Sequence, residues 1–279
     1  MPKLSILMPV YNSEVTVKDT ILSIVNQNHK DYEILIIDDY SNDNTINIIQ
    51  EIKSNKIRIL KSNRKGLVNA LNTGIDYCDC EYIIRMDSDD ISRQERLSVQ
   101  EEILDKNKNI ITVGSNIEFF CGSEGLSNYP ITNKQCKDFL LTSPCFAHPT
   151  VAIRRATLSK YNIKYKNEYQ YAEDYKLWCD LAEYGSFINI SKPLLRYRVH
   201  KNQISTKKNI IQRNIHTRIS HENLLSIGVN TSFDDLYKIL WSDNGNAVEI
   251  LNLYFLLLKR GRISTYNHKF LLKKLLNLF

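Results

Sequence analysis

Four times in its first 90 or so residues the chain repeats one pattern: a short apolar run, a polar or acidic cluster, then apolar residues at helical spacing. The runs are "KLSILMPV" (3–10), "YEILIIDD" (32–39), "KIRIL" (56–60) and "EYIIRM" (81–86). Near-continuous apolar runs of this length suit strands covered on both faces. Between them, 14–27 places Val17, Ile21, Ile24 and Val25 on one helical face, and "NDNTINIIQEIK" (42–53) reads as a helix opened by small polar residues. "GLVNALNTGIDYC" (66–78) reads as a third helix, weakened at Gly74, and 92–107 as a fourth. Strands alternating with helices at this spacing predict a doubly wound, mostly parallel α/β sheet with right-handed crossovers. Ligands of such sheets bind beyond the carboxyl ends of the strands. Every polar cluster sits there: Tyr11–Asn12, Asp38–Asp39, Ser62–Asn63 and Asp87–Asp90.

Past residue 110 the pattern loosens into short β-like pieces, "NIITVGSN", "HPTVAIRR", "SFINI" and "LLRYRVH", with one clear helix, "EDYKLWCDLAEYG" (173–185), closed by a glycine. From 207 onward only helical spacing remains. The expected division is residues 1–205 and a helical, basic region 206–279. Charge supports it: residues 201–279 hold 12 Lys/Arg and 5 acids, while the other 200 residues hold 25 and 26. The opening apolar segment is too short to span a membrane and no small-residue cleavage site follows, so neither anchor nor signal peptide is expected. Six scattered cysteines lack the paired spacing of a zinc site and are expected to be reduced thiols.

The densest chemistry lies in "YIIRMDSDDIS", where Asp87, Asp89 and Asp90 follow an apolar run within four residues. A helix start at Asp90, or at Ser92 with Glu95, accounts for one or two carboxylates, but not three. Hard divalent cations take oxygen ligands, and Mg²⁺ or Mn²⁺ commonly uses one or two carboxylates plus phosphate oxygens. In "IIDDYSNDNT", Asp43 fits a turn or cap, whereas Asp39 is free to accept N–H or ribose hydroxyl donors. Neither a P-loop nor G-x-G-x-x-G appears, so phosphate is not gripped by a glycine-rich turn.

Taken together, "SILMPVYN", "IIDDYSNDNT", "GLVNALNTGI" and "YIIRMDSDD" resemble the nucleotide-binding half of inverting family-2 glycosyltransferases of GT-A fold. The likeness continues through "HPTVAIRR", "YAEDYKLW" and "LLRYRVHKNQIS", so it covers residues 3 to about 205. It is closest to bacterial enzymes that build capsule, O-antigen or lipooligosaccharide. The resemblance implies a UDP-sugar donor, a saccharide or lipid-linked oligosaccharide acceptor, a Mn²⁺ or Mg²⁺ cofactor and a cytoplasmic enzyme. It places Pro9, Tyr11, Asp38, Asp39, Asp87 and Ser88 around the nucleotide, with Tyr11 against uracil and Asp39 on its ring N–H. Asp87, Asp89 and His200 fall to the metal, with Asp90 in support; Asp90 and His148 also fall toward the acceptor. Asp174 is implied as general base, with Glu173 beside it.

The chemistry has use for such groups. A diphosphate leaves well once a cation offsets its developing charge, and the attacking hydroxyl needs one base for a single inverting displacement. Arg85 can answer the carboxylates or the diphosphate, or form a structural ion pair; Arg64 and Lys65, near a strand end, can help hold the diphosphate but read rather as solvated surface. Q-x-x-R-W, the mark of processive synthases, is missing, which favours addition of single sugars. A nucleotidyltransferase would need a glycine-rich, basic N-terminal loop, and "MPVYNSEV" has neither. Nucleic-acid binding by the basic C-terminus is disfavoured because its lysines share a helix with leucines. In "YNHKFLLKKLLNLF", Leu271, Leu272, Leu275, Leu276, Leu278 and Phe279 fall on one side and Lys269, Lys273, Lys274 and Asn277 on the other. That helix is expected either to dock on the catalytic domain or to lie on the cytoplasmic face of the inner membrane.

Overall fold

The computed structural model describes residues 2–200, 209–242, 247–263 and 265–276. The first four repeats form as the sequence predicts: β1 (Leu4–Val10), α1 (Val17–Val25), β2 (Tyr32–Asp38), α2 (Thr45–Glu51), β3 (Ile57–Lys61), α3 (Leu67–Tyr77) and β4 (Tyr82–Arg85). β1 pairs in parallel with β2 and β4, and β2 with β3. The two faces of β1 bury alternate residues, as strand geometry requires. Ile6 and Met8 pack with Val17, Ile21 and Ile24 of α1, while Leu7 packs with Val68 and Leu71 of α3. Gly74 has a packing reason: a Cβ there would lie 1.9 Å from Leu7 Cδ1, so only glycine lets α3 settle on β1. Pro9 lies beyond the last β1–β4 pair, at Leu7–Arg85, so no strand on that side misses its N–H.

The expected helix at 92–107 starts late. Ile91–Ser92 instead makes a short strand, β5, against the far end of the sheet, and α4 runs Arg96–Lys106 with no side-chain cap. Asp90 and Ser92 therefore cap nothing, which leaves the triplet's acids for another purpose. Between 110 and 200 the short pieces join into longer ones. β6 (Ile110–Phe120) gains a small hairpin partner, β7 (Gly125–Leu126). α5 (Asn133–Phe139) follows, opened by a Thr132–Gln135 capping box. "HPTVAIRR" becomes a 3₁₀ turn at His148–Thr150, then β8 (Ala152–Arg154) and α6 (Arg155–Tyr161). α7 (Glu173–Leu181) ends at Ala182, so Gly185 is not its cap; it is glycine because a Cβ would meet Ile111 Cγ2 at 2.5 Å. "SFINI" and "LLRYRVH" fuse into one bulged strand, β9 (Ser186–Arg198), parallel to β6 over its whole length.

The sheet order is β3-β2-β1-β4-β8-β6-β9-β5, with β8 and β5 antiparallel to their neighbours. The expected doubly wound, mostly parallel sheet is present, and the carboxyl ends of β1, β2, β4, β6 and β9 open on one edge. Among the described residues the remainder is helical: α8 (Asn209–Ser226), α9 (Phe233–Trp241), α10 (Ala247–Lys259) and α11 (Thr265–Leu276). α8 is tied to the preceding α/β part by Ser220 Oγ to Leu141 O at 2.7 Å and by buried Ile219. The boundary expected near 205 lies outside the described residues. α11 docks: Leu271 is buried, with Phe270 and Leu275 packed beside it, while Leu272 and Leu276 stay exposed. Asn277, Leu278 and Phe279 lie outside the described residues. All six cysteines are free thiols.

Candidate active site

The site is assembled from strand ends. β1 leads through Pro9 and Val10 to Tyr11, nearly half exposed, and to Asn12, whose φ of +48° turns the chain out of the sheet. At the end of β2, Asp38 Oδ1 accepts from Ser41 N at 2.9 Å, closing the turn. Asp39 is buried, and its Oδ1 accepts from Gly66 N at the start of α3 at 2.7 Å. Gly66 adopts φ +117°, a conformation side chains resist, and so brings its N–H to the carboxylate. Burial raises the proton affinity of Asp39, opposed by that N–H and by Lys65. Lys65 Nζ lies 5.0 Å from the centre of the Tyr11 ring. Ser88 Oγ meets Ser13 Oγ at 2.7 Å, and Ser88 O accepts from Thr16 Oγ1 at 2.9 Å, so the β1 and β4 turns are stitched together.

Asp87, Asp89 and Asp90 place one carboxylate oxygen each within 4.8 Å of one another. Asp87 is paired with Arg85. Asp89 Oδ2 meets His200 Nε2 at 2.9 Å, and its carbonyl accepts from Arg198 Nε at 2.7 Å. Asp90 is fully buried; its Oδ1 accepts from Arg198 N at 2.8 Å, whereas Oδ2 is buried with no hydrogen-bond partner. Withdrawal from water, then repulsion by Asp87 and Asp89, raises the Asp90 proton affinity well above the usual carboxylate range. Asp87 is raised by the same two causes, offset by Arg85. Behind them Arg96 is buried, donates to Arg85 O at 2.7 Å and has its affinity pulled down to about 9 by desolvation. Three converging carboxylates and an orphaned buried oxygen fit a hard divalent cation, which would replace that repulsion with attraction.

The second acidic pair opens α7. Glu173 is buried, and its Oε2 accepts from Tyr171 N at 2.6 Å, a contact for which Tyr171 takes a positive φ of 79°. Burial, then the charge of Asp174, pushes Glu173 up to about 7. Asp174 is half-buried, its Oδ1 accepts from Tyr175 N at 2.8 Å, and burial raises it too. The guanidinium of Arg85, itself buried with Nε lacking a hydrogen-bond partner, lowers the proton affinity of Glu173 and Asp174 as well as that of Asp87. It thereby links two acidic clusters that are about 85 residues apart in sequence. His148 Nε2 meets Tyr165 Oη at 2.8 Å, and its ring lies 5.9 Å from that of Trp178. Burial, and then Arg85, hold its proton affinity well below the usual histidine range, so it is neutral at pH 7.

The structure thus brings Pro9, Tyr11, Asp38, Asp39, Asp87, Ser88, Asp89, Asp90 and His200 to one edge, with the positive charge of Arg85 paired to Asp87 and felt at Glu173 and Asp174. Sequence reasoning passed over Arg198, Gly66 and Tyr165. Arg198 lies two residues before His200, and that spacing on a strand was the one available signal. Lys65 and Arg85 read ambiguously because a cation's partner cannot be seen in sequence.

A family model described as glycosyl transferase family 2 matches residues 5–161, more than half of the chain. Over 273 residues the chain is 30% identical to an uncharacterized glycosyltransferase of Haemophilus influenzae, covering 91% of this chain and 80% of that one. Over 207 residues it is 30% identical to the Escherichia coli UDP-Glc:alpha-D-GlcNAc-diphosphoundecaprenol beta-1,3-glucosyltransferase WfgD, covering 73% and 80%. The S. aureus TarS 1–349 crystal structure in complex with UDP-GlcNAc superposes with a TM-score of 0.65 at 17% identity, over 99% of this chain and 89% of that one. It shares the GT-A sheet. A strand-end acid triplet on that sheet and a match running through both its flanks lead to one assignment: the chain belongs to glycosyl transferase family 2.

Proposed function

We propose that this protein moves a hexose or N-acetylhexosamine from a UDP-sugar to a lipid-linked saccharide acceptor, with inversion, in bacterial surface polysaccharide synthesis, and that residues 1–205 carry the chemistry. The observation that carries the reading is the convergence of Asp87, Asp89 and Asp90 at the end of β4, coupled through Arg85 to Glu173 and Asp174. The UDP-sugar and lipid-linked acceptor are supported by what WfgD and the TarS complex are named for.

Tyr11 offers its exposed ring to the uracil, with Lys65 alongside, and Asp39 accepts the ring N–H on the oxygen that Gly66 leaves open. Asp38 and Ser88 hold the turns that shape this wall. Asp87 and Asp89 would hold Mn²⁺ or Mg²⁺, with Asp90 and His200 in support; when bound, such an ion offsets charge on the departing diphosphate. Asp174 takes the acceptor's proton, since one of its oxygens is engaged by Tyr175 N–H and it keeps access to solvent. Glu173, buried and held by Tyr171, sets the electrostatic environment of that base. His148 and Tyr165 form the acceptor-side wall, and a lipid-linked acceptor brings the reaction to the cytoplasmic face of the inner membrane.

The test is to incubate the purified protein with Mn²⁺ and a panel of UDP-sugars and measure donor turnover before and after chelation. Turnover of one donor, abolished by chelation, is the expected result. Tight UDP binding and undiminished transfer in the chelated protein would remove the role given to the acid triplet.

A further inference from the structure

The α10–α11 hairpin carries a second apolar face that nothing in the described residues covers. Ile250, Leu253 and Leu257 of α10 are buried in the C-terminal core. On the other side Val248, Leu251, Phe255 and Leu258 recur every three or four residues and stand between 40% and 61% exposed. A helix needs one apolar face to dock; α10 has two. Single exposed leucines are ordinary, whereas an aligned row of four large side chains marks a contact surface. α11 widens it. The two helices are joined through Gly261 and by Tyr254 Oη to His268 Nδ1 at 3.0 Å. Counting about 100° per residue from that contact, Leu272 and Leu276 fall on the side of the hairpin that carries the row. Both are exposed.

Charge identifies the occupant. Residues 247–276 hold six Lys/Arg and a single acid, Glu249. Arg262 is engaged by Asp138 at 2.9 Å and Lys274 by Ser242 O at 2.9 Å, inside the protein. Lys259 on α10, and Lys269 and Lys273 on α11, are exposed beside the apolar row. A second copy docking through this face about a two-fold axis would bring two surfaces of the same positive charge together. An anionic phospholipid surface instead takes the apolar row into its interface and the lysines against headgroup phosphates. No helix among the described residues is long and apolar enough to cross a membrane, so the hairpin lies on the surface rather than spanning it.

We propose that the α10–α11 hairpin is the surface by which this protein docks on anionic phospholipid membranes, with the α10 row inserting first and Leu272 and Leu276 of α11 beside it. The surface is read from the hairpin alone, so it stands or falls separately from the donor and acceptor assignments. The test sediments the full chain with phosphatidylcholine vesicles, with and without phosphatidylglycerol. Binding to the anionic vesicles, weakened by salt, is expected. The double variant Leu251→Glu/Phe255→Glu should bind at least about tenfold more weakly, having lost two inserted apolar side chains. The triple variant Lys259→Gln/Lys269→Gln/Lys273→Gln should lose on the order of a hundredfold on anionic vesicles. Both should keep the wild-type melting midpoint and the wild-type turnover of donor in solution. Should the double variant unfold, the lysine variant, which alters surface charge alone, decides. The proposal fails if the wild type ignores anionic vesicles, or if both variants bind them as the wild type does. It fails equally if the wild type is a solution dimer that Phe255→Glu splits while vesicles go unbound.

Discussion

The two halves of the sheet are built in different ways. Residues 4–85 are four strands laid down in sequence with their helices, each strand pairing in parallel with others of the same segment. Residues 110–198 interleave: β6 pairs with β9 across about 75 residues of chain, with β8 wedged between β6 and β4. The acids of the first half gather within one turn, crowded and mutually repelling. Those of the second half are held by backbone donors on either side of α7's start. On the proposed reading, the first half supplies a charge trap for a nucleotide and its cation, while the second positions a base through long-range packing. Substitutions of the acids should therefore strike chemistry in either half, while substitutions in the β6–β9 packing should strike the fold.

The largest effect is expected at Asp89. Asp89→Ala should lower kcat/KM by about 10⁴-fold, the loss of a charge-stabilising ligand in a sheltered site. Its melting midpoint should match the wild type or exceed it, because one of three repelling carboxylates is gone. A large fall in stability would show the triplet to be structural and erase the contrast between the halves. Next, Asp174→Asn should lower kcat by about 10³-fold, within the range for a lost general base, with UDP and Mn²⁺ affinity kept. Near-normal turnover would move the base elsewhere.

Gly114→Ala should affect the fold rather than the chemistry. A Cβ at Gly114, in the middle of β6, would lie 2.2 Å from Asn189 Oδ1 and 2.4 Å from Phe146 Cδ1. Overpacking of this kind costs about 1–3 kcal/mol, measurable by denaturant unfolding. An unchanged midpoint would mean the β6–β9 frame is looser than its packing indicates. The smallest effect concerns pH. With Glu173 held near 7, its ionisation above that pH adds a negative charge beside Asp174 and strengthens it as a base. The wild-type kcat should rise modestly through about pH 7, and Glu173→Gln should flatten that rise. Stability gives an independent sign. The folded affinity of Glu173 exceeds its unfolded value of 4.5, so the folded state retains a proton that the unfolded state releases between 4.5 and about 7. Glu173→Gln should therefore melt above the wild type at pH 8, with the gap closing as pH falls below 4.5. No difference at pH 8 would mean that Glu173 is not paying for its burial.

Much of the donor side was legible in sequence because its signals are local. An apolar run followed by Asp87, Asp89 and Asp90 names both a strand and its carboxyl end, and the strand-end positions of Tyr11, Asp38 and Asp39 follow from the same rule. The errors came where a local signal was overridden. Ser92 and Glu95 looked like a cap, yet Ile91–Ser92 was drawn into pairing with β9. Gly185 looked like a helix stop, yet it answers to Ile111. The terminal leucines looked like one continuous face, yet Leu271 and Leu275 face the core while Leu272 and Leu276 do not.

By itself the sequence determined the order of strands and helices in the first half, the edge at which the polar clusters gather and the residues that crowd there, since periodicity and strand-end chemistry are properties of neighbours along the chain. Tertiary structure alone decided that the charge of Arg85 pairs with Asp87 and reaches Glu173 and Asp174, that Arg198 braces Asp89 and Asp90, and that α10 shows an apolar row to the outside. Those facts depend on which side chains meet across long loops. A partner's charge, a buried oxygen without a donor and an uncovered helix face exist only once the chain has folded.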